Sequence, residues 1–145
     1  MGYIEQVRQA SGQLSIDTRG KGLYELTGEV ASWLADTGIG EGLLTVFIQH
    51  TSASLLIQEN ADPHVARDLE AFFSRIAPEE EEFYSHVDEG PDDMPAHIRA
   101  ALTQTQLSIP VVKGRMALGT WQGIYVFEHR RSEHRRAVVL HVIGE

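Results

Sequence analysis

Apolar residues recur along this chain with two different periods, and the alternation between them sets out the expected elements. Residues 4–17 mix apolar and polar positions in the manner of a strand, with Leu14 and Ile16 alternating against polar neighbours and Gly12 as the expected turn. Over residues 23–34 the period lengthens. Leu23, Leu26, Val30, Trp33 and Leu34 fall on one side at helical spacing, and Gly38 is the expected stop. Residues 42–50 return to strand, with Leu44, Val46 and Ile48 on one face, and residues 54–57 are expected to continue the same sheet.

A second helix is announced by Asp62 as N-cap and Pro63 at the first helical position. Val65, Leu69, Phe72, Phe73 and Ile76 form its expected buried stripe, and Pro78 ends it. The acidic run at residues 79–82 reads as a solvated loop. Residues 95–102 read as a short helix behind a Gly/Pro loop, with Asp93 or Met94 just before it. Residues 107–112, 117–128 and 137–143 read as strands. Lys113-Gly114-Arg115 marks a tight turn, and residues 130–136 mark a longer hairpin loop. Two or three helices among six to eight strands joined by short turns predict an α+β class with an antiparallel or mixed sheet.

Composition narrows the function more than the fold. The 145 residues suit one domain with a substantial core. The hydrophobic fraction of 42% and charged fraction of 23% give no reason to expect disorder. A net charge of −9 opposes binding to nucleic acid or anionic lipid, so neither partner is expected. A small phosphorylated ligand remains compatible, because Arg130, Arg131, Arg135 and Arg136 form a local basic stretch. The absence of cysteine excludes disulfides, thiolate zinc sites and a cysteine nucleophile. With no leader-like opening and no apolar run of spanning length, the cytoplasm is the expected location.

Four stretches carry candidate chemistry. His50 closes an apolar strand and is followed by Thr51 and Ser52; the alternative is a satisfied turn with a surface histidine. Glu59 and Asn60 directly precede a helix N-terminus, where an anion is also favoured. Residues 86–97 are the densest group of potential ligands. There His86 and His97 bracket Asp88, Glu89, Asp92 and Asp93, with no standard zinc or EF-hand spacing. The fourth is Gly119-Thr120-Trp121-Gln122-Gly123, leading to His129 and Arg130 where the strand runs out. Trp121 and Gln122 suit a ring and its polar edge, unless Trp121 is core. His64, His134 and His141 are explained by a helix turn, a charged loop and a strand. No G-x-S-x-G elbow and no phosphate-binding glycine loop is present, so no nucleophilic triad is assigned.

The stretches QHTSASLLIQENADP (49–63), HVDEGPDDMPAHI (86–98) and SIPVVKGRMALGTWQGIYVFEHR (108–130) resemble the YjbQ family, also called secondary thiamine-phosphate synthase enzymes, and the likeness covers nearly the whole chain. The resemblance implies a β-sandwich-like core, a homotrimer and a divalent metal, zinc or magnesium. It also implies a weak transferase activity that joins hydroxymethylpyrimidine diphosphate to thiazole phosphate and releases pyrophosphate. The family's recurrent polar residues fall on His50, Thr51, Ser52, Glu59, Asn60, His86, Asp92, His97, Gln122, His129 and Arg130. Some relatives carry asparagine at the position of Asp93, which favours Asp92. On this reading His86, Glu59, Asp92 and Asp93 are catalytic, while Thr51, Ser52, Asn60, Trp121, Gln122 and Arg130 bind substrate. The competing expectations are a hydrolase with its metal on His50, His97 and His129, and a metal- or ligand-binding trimer without catalysis.

Overall fold

The computed structural model describes residues 6–80 and 82–145. Its elements run β1 Arg8–Arg19, β2 Gly22–Glu25, α1 Thr27–Thr37, β3 Gly42–Ile48, β4 Ala53–Glu59 and α2 Pro63–Ile76. They continue α3 Asp93–Leu102, β5 Gln106–Val112, β6 Arg115–Met116, β7 Gln122–Glu128 and β8 Glu133–Gly144. The described residues form three helices and strands paired antiparallel throughout, in the α+β class that the pattern predicts, but the strands divide between two sheets. One sheet has the order β1-β8-β3-β5-β6 and the other β2-β7-β4.

Strand parity explains how the two sheets share one core. From the large sheet, Leu44, Val46 and Ile48 of β3, Leu107, Ile109 and Val111 of β5, and Val138, Leu140 and Val142 of β8 enter a single cluster. Ala53 and Leu55 of β4, and Ile124 and Val126 of β7, meet them from the small sheet, with Leu26, Val30 and Leu34 from around α1. The opposite face of β7 is covered too. There Phe127 packs edge-on against Phe73 of α2 at 5.3 Å between ring centroids, and beneath the Arg99 guanidinium of α3.

Several expectations are corrected. Gly12 is not a turn: β1 runs straight through it and pairs with β8 over twelve residues, Gly12 opposite Leu140. A Cβ there would collide with the Trp33 indole, so the glycine serves close approach of α1. The part of the first expected strand at residues 4–5 lies outside the described residues. Leu23 belongs to β2 rather than to α1, because its partner is Phe127. β4 does not continue the sheet of β3; the chain crosses to the other sheet at residues 49–52. The strand expected from residue 117 begins at Gln122, and residues 129–132 are no hairpin loop, because β7 and β8 lie in different sheets. The stripe on α2 is not buried: Phe73 reaches Phe127, yet Phe72 is 54% and Ile76 44% exposed. In the acidic run, Glu79 is tied to Lys21 and Arg131. The turn at Lys113-Gly114 stands as expected, with positive φ at both residues and Val112 opposite Arg115.

Where the apolar rows end, buried polar groups take over on both faces of the small sheet. On the core side, the next inward positions after Val126, Val138 and Ile16 are Glu128, Arg136 and Thr18, and they join. Arg136 Nε donates to Glu128 Oε1 at 2.7 Å, Arg136 Nη2 donates to Oε2, and Thr18 Oγ1 donates to Oε1 at 2.5 Å. This ion pair bridges the two sheets. On the helix side, Arg99 holds Glu70 of α2 through both terminal nitrogens (2.8 and 2.5 Å), and its Nε donates to His129 Nδ1 at 3.0 Å. His129 Nε2 then meets Ser54 Oγ at 2.9 Å, and Ser54 Oγ lies 2.6 Å from Thr103 Oγ1.

His129 is fully buried, and burial, reinforced by the Arg99 charge, pushes its pKa down to about 2. The half-buried His50 shifts in the same direction, through burial and Arg136. The unfolded chain therefore binds protons below pH 6.5 that the folded chain refuses, so stability is intact above that pH and falls as pH drops. Urea unfolding between pH 7.5 and 5 is expected to lose about 1.4 kcal/mol per pH unit from His129 below pH 6.5. A flat profile would show that His129 takes up a proton in the folded chain. Separately, Gly12→Ala is expected to destabilise by about 1–3 kcal/mol through overpacking on Trp33, read from the same urea midpoints at pH 7.5.

Candidate metal centre

Helix α3 begins at Asp93, and its i, i+4 spacing places Asp93 and His97 on one face. The loop before it delivers His86 to the same point. His86 Nε2 lies 2.6 Å and His97 Nε2 3.0 Å from the same oxygen, Asp93 Oδ2. Ligand atoms of His86, Asp93 and His97 all fall within 4.8 Å of one another. Asp93 is buried, whereas the His86 and His97 side chains are 45% and 30% exposed.

The ring of His97 is fixed from behind. Its Nδ1 lies 2.9 Å from the Thr51 carbonyl oxygen, which can only accept, so Nδ1 carries a hydrogen. In the neutral ring Nε2 is then bare, and its lone pair faces a carboxylate oxygen that already accepts from His86. That arrangement is satisfied by a cation placed between the three groups. A histidine that donates its far N–H to a backbone carbonyl is the usual support of a metal ligand.

The other oxygen of Asp93 belongs to Arg130. Arg130 Nη1 donates to Asp93 Oδ1 at 2.8 Å, Nε to Asp92 Oδ2 at 3.0 Å, and Nη2 to the Glu89 carbonyl at 2.9 Å. The Arg131 N–H adds a bond to Asp92 Oδ2 at 2.9 Å. Burial opposes the charge of Asp92, but these donors outweigh it and hold its pKa down at about 2. Burial also opposes the charge of Asp93, but its partners, His86 foremost, outweigh it and hold the pKa of Asp93 below the usual carboxylate value. With neutral imidazoles, one guanidinium against two carboxylates leaves the cluster net negative, which suits a cation and repels a free phosphate.

The expected three-histidine grouping is not assembled. His129 has both ring nitrogens occupied, by Arg99 and Ser54, inside the protein. His50 Nε2 accepts the Ala137 N–H at 2.8 Å, so it holds the turn rather than a metal. Only His97 of the three reaches the cluster, which His86, expected as an acid or base, joins at Asp93 Oδ2. Asp93, not Asp92, faces the histidines, and Arg130 is spent on carboxylates rather than open to phosphate.

The remaining expected residues divide by place. Thr51 contributes its carbonyl, and Ser52 accepts from Arg136 Nη2 at 3.1 Å. Glu59, Asn60, Trp121 and Gln122 gather at the far end of β4 and β7, about 20 Å from the Ala53 end at roughly 3.3 Å per residue. There Glu59 Oε2 accepts from the N–H groups of Ala61 and Asp62, Asn60 N–H donates to the Trp121 carbonyl, and Gln122 Oε1 accepts from Gly119 N–H. Trp121 is 62% exposed and is not core. Sequence reasoning missed Ser54, Arg99, Glu128 and Arg136. For Arg99, Glu128 and Arg136 the signal was parity, since each follows buried neighbours in its helix or strand row, whereas the row of Ser54 runs on to the half-buried Leu56 and Gln58 and gave none.

Two open cavities flank the cluster. One of about 270 Å³ is lined by Tyr84, His86, Val87, Pro91 and Met94. The other, of about 340 Å³, is lined by His50, Thr51, His97, Ala100, Ala101 and Thr105. Both are near the lower bound for a small-molecule site.

Comparison with known proteins agrees with the resemblance. Residues 12–145 match the family described as UPF0047 protein YjbQ-like. A UPF0047 protein of Synechocystis is 51% identical over 138 residues, spanning 95% of this chain and 94% of its own. The UPF0047 protein YjbQ of Escherichia coli is 43% identical over 133 residues, spanning 91% and 96%. A YjbQ/UPF0047 crystal structure from Clostridium acetobutylicum superposes with a TM-score of 0.81 at 32% identity, covering 88% of this chain and 96% of that one. A YbjQ-like protein of unknown function from Sulfolobus solfataricus has a TM-score of 0.88 at 20% identity, covering 97% and 100%, which speaks for the fold alone. Sequence and structure together establish that this chain belongs to the YjbQ (UPF0047) family.

Proposed function

We propose that this chain is a metal-dependent enzyme acting on a small phosphorylated substrate, with a divalent ion held by His86, Asp93 and His97. The observation that carries this reading is the convergence of both Nε2 atoms on Asp93 Oδ2, with Nδ1 of His97 committed to the Thr51 carbonyl. Two imidazoles and a carboxylate suit zinc and related metals and leave coordination positions open. A bound divalent ion would supply the positive charge that draws and stabilises phosphoryl oxygens. This matters because Arg130, the nearest guanidinium, already spends its donors on Asp92, Asp93 and Glu89.

The reaction class that fits is the weak thiamine phosphate synthase type, in which the C–O bond to pyrophosphate breaks and the thiazole nitrogen takes its place. Two separate cavities beside the cluster, one lined by His86 and one by His97, favour a joining of two substrates. The second reading, a metal-dependent hydrolase, is favoured by the exposed edges of both histidines, which admit water.

Elemental analysis of protein reconstituted with zinc, manganese or magnesium is expected to give one metal per chain, lost in His86→Ala and in His97→Ala. Stoichiometric metal retained by either variant, or none bound by the unsubstituted chain, would sink the assignment. Incubation with hydroxymethylpyrimidine diphosphate and thiazole phosphate is expected to yield thiamine phosphate and pyrophosphate in equal amounts, stopped by chelation. Release of phosphate or pyrophosphate without the joined product would select the hydrolase.

A further inference from the structure

We infer that Glu128 is the positioning residue that holds the two halves of this centre in register, acting through Arg130 on Asp93 and through Arg136 on His97. The inference rests on the metal-centre reading for its function but not for its structure. Glu128 is completely buried and receives five donors. Two of them lead to the cluster by separate routes.

The first route is short. Glu128 Oε2 accepts the backbone N–H groups of His129 at 3.0 Å and Arg130 at 3.1 Å, which fixes the chain where β7 ends. From there the Arg130 side chain grips Asp93 Oδ1 and turns Oδ2 toward the two histidines. The second route crosses to the other sheet. Arg136, paired with Glu128, donates from Nη2 to the Ser52 carbonyl at 3.2 Å and to Ser52 Oγ at 3.1 Å. Its neighbour Ala137 donates to His50 Nε2. Both residues flanking Thr51 are thereby held, and the Thr51 carbonyl fixes Nδ1 of His97. A carboxylate that touches neither histidine therefore orients one ligand through its charge partner and another through a carbonyl. Groups bonded directly to metal ligands, the place taken here by Arg130 and the Thr51 carbonyl, change metal affinity on the order of 10- to 100-fold when removed, and Glu128 holds both in place.

The test uses the full chain carrying Glu128→Gln, which preserves shape and removes the charge. Because that substitution strands Arg136 as a buried cation, the double variant Glu128→Gln/Arg136→Gln is made beside it, with amide facing amide. Arg130→Gln tests the first route alone. The first readout is the metal-free imidazole ¹H–¹⁵N spectrum, with His97 identified from its loss in His97→Asn. In the unsubstituted chain His97 is expected to show one fixed ring pattern with Nδ1 protonated. In whichever Glu128 variant folds, that pattern is expected to give way to tautomer averaging. Arg130→Gln is expected to keep the His97 pattern while altering the His86 signals. The second readout is Co²⁺ binding followed by its visible bands, with affinity expected to fall on the order of 10- to 100-fold and the bands to shift in all three variants. An unchanged His97 pattern in a folded Glu128 variant would overturn the inference. If the unsubstituted chain binds no Co²⁺ while the His97 pattern still depends on Glu128, the positioning role stands and the metal reading falls.

Discussion

Glu128 and Arg136 are opposite charges withdrawn from water at the end of an apolar core, one on each sheet, and the geometry beyond them depends on that pairing. Each alone would carry a desolvation cost of several kcal/mol, and the pair is tolerated because each charge meets the other directly and no buried nitrogen or oxygen of either side chain lacks a partner. Glu128 sits at the inward position after Val126, Arg136 at the one before Val138. Their bond fixes how the small sheet sits against the large one at this end. The chain crosses between sheets here three times, at residues 20–21, 49–52 and 129–132, and the last two crossings carry groups that reach the cluster.

A second polar assembly does comparable work on the outer face of the small sheet. Arg99 reaches from α3 to Glu70 of α2, to His129 of β7 and over Phe127, so one side chain ties two helices to one strand. Burial opposes the charge of Glu70, yet the Arg99 bonds hold its pKa below the usual carboxylate range. The helix thus anchored is the one that presents Asp93 and His97. Among the described residues no buried side-chain polar atom lacks a partner, so these networks specify positions as well as tolerate burial.

What was legible in the sequence followed periodicity and local chemistry. The capping of α2 by Asp62 and Pro63, the stop at Gly38 and the turn at Lys113-Gly114 depend on neighbours a few residues apart, and they fold as read. Residues 86–97 were legible as a dense group of ligand types, but the pairing of Asp93 with His97 was not, because the helix read from residue 95 left Asp93 outside the turn that brings them together. What failed was long-range. Gly12 reads as a turn until Trp33 is known to lie against it. His50 and His129 end apolar rows, which suggested ligands, but parity sends His129 under α3 and gives His50 a backbone N–H to hold. Arg130 looked free for phosphate only because its partners Asp92 and Asp93 stand some forty residues earlier.

Ser54, His129 and Arg99 lie in the order of a nucleophilic triad, with Ser54 Oγ 2.9 Å from His129 Nε2. The polarity is reversed. In a working triad a carboxylate accepts from Nδ1–H and leaves Nε2 bare to take the serine proton. Here Arg99 donates to Nδ1, so the neutral ring must carry its hydrogen on Nε2 and offer it to the serine oxygen. A guanidinium at that distance also penalises the imidazolium such a reaction would form, and burial adds to the penalty. Ser54 is moreover fully buried, with no path for a substrate carbonyl. The serine and histidine that would perform acyl transfer beside a carboxylate are thereby confined to structural support, and the candidate chemistry is left to the partly exposed edge where His86 and His97 meet Asp93.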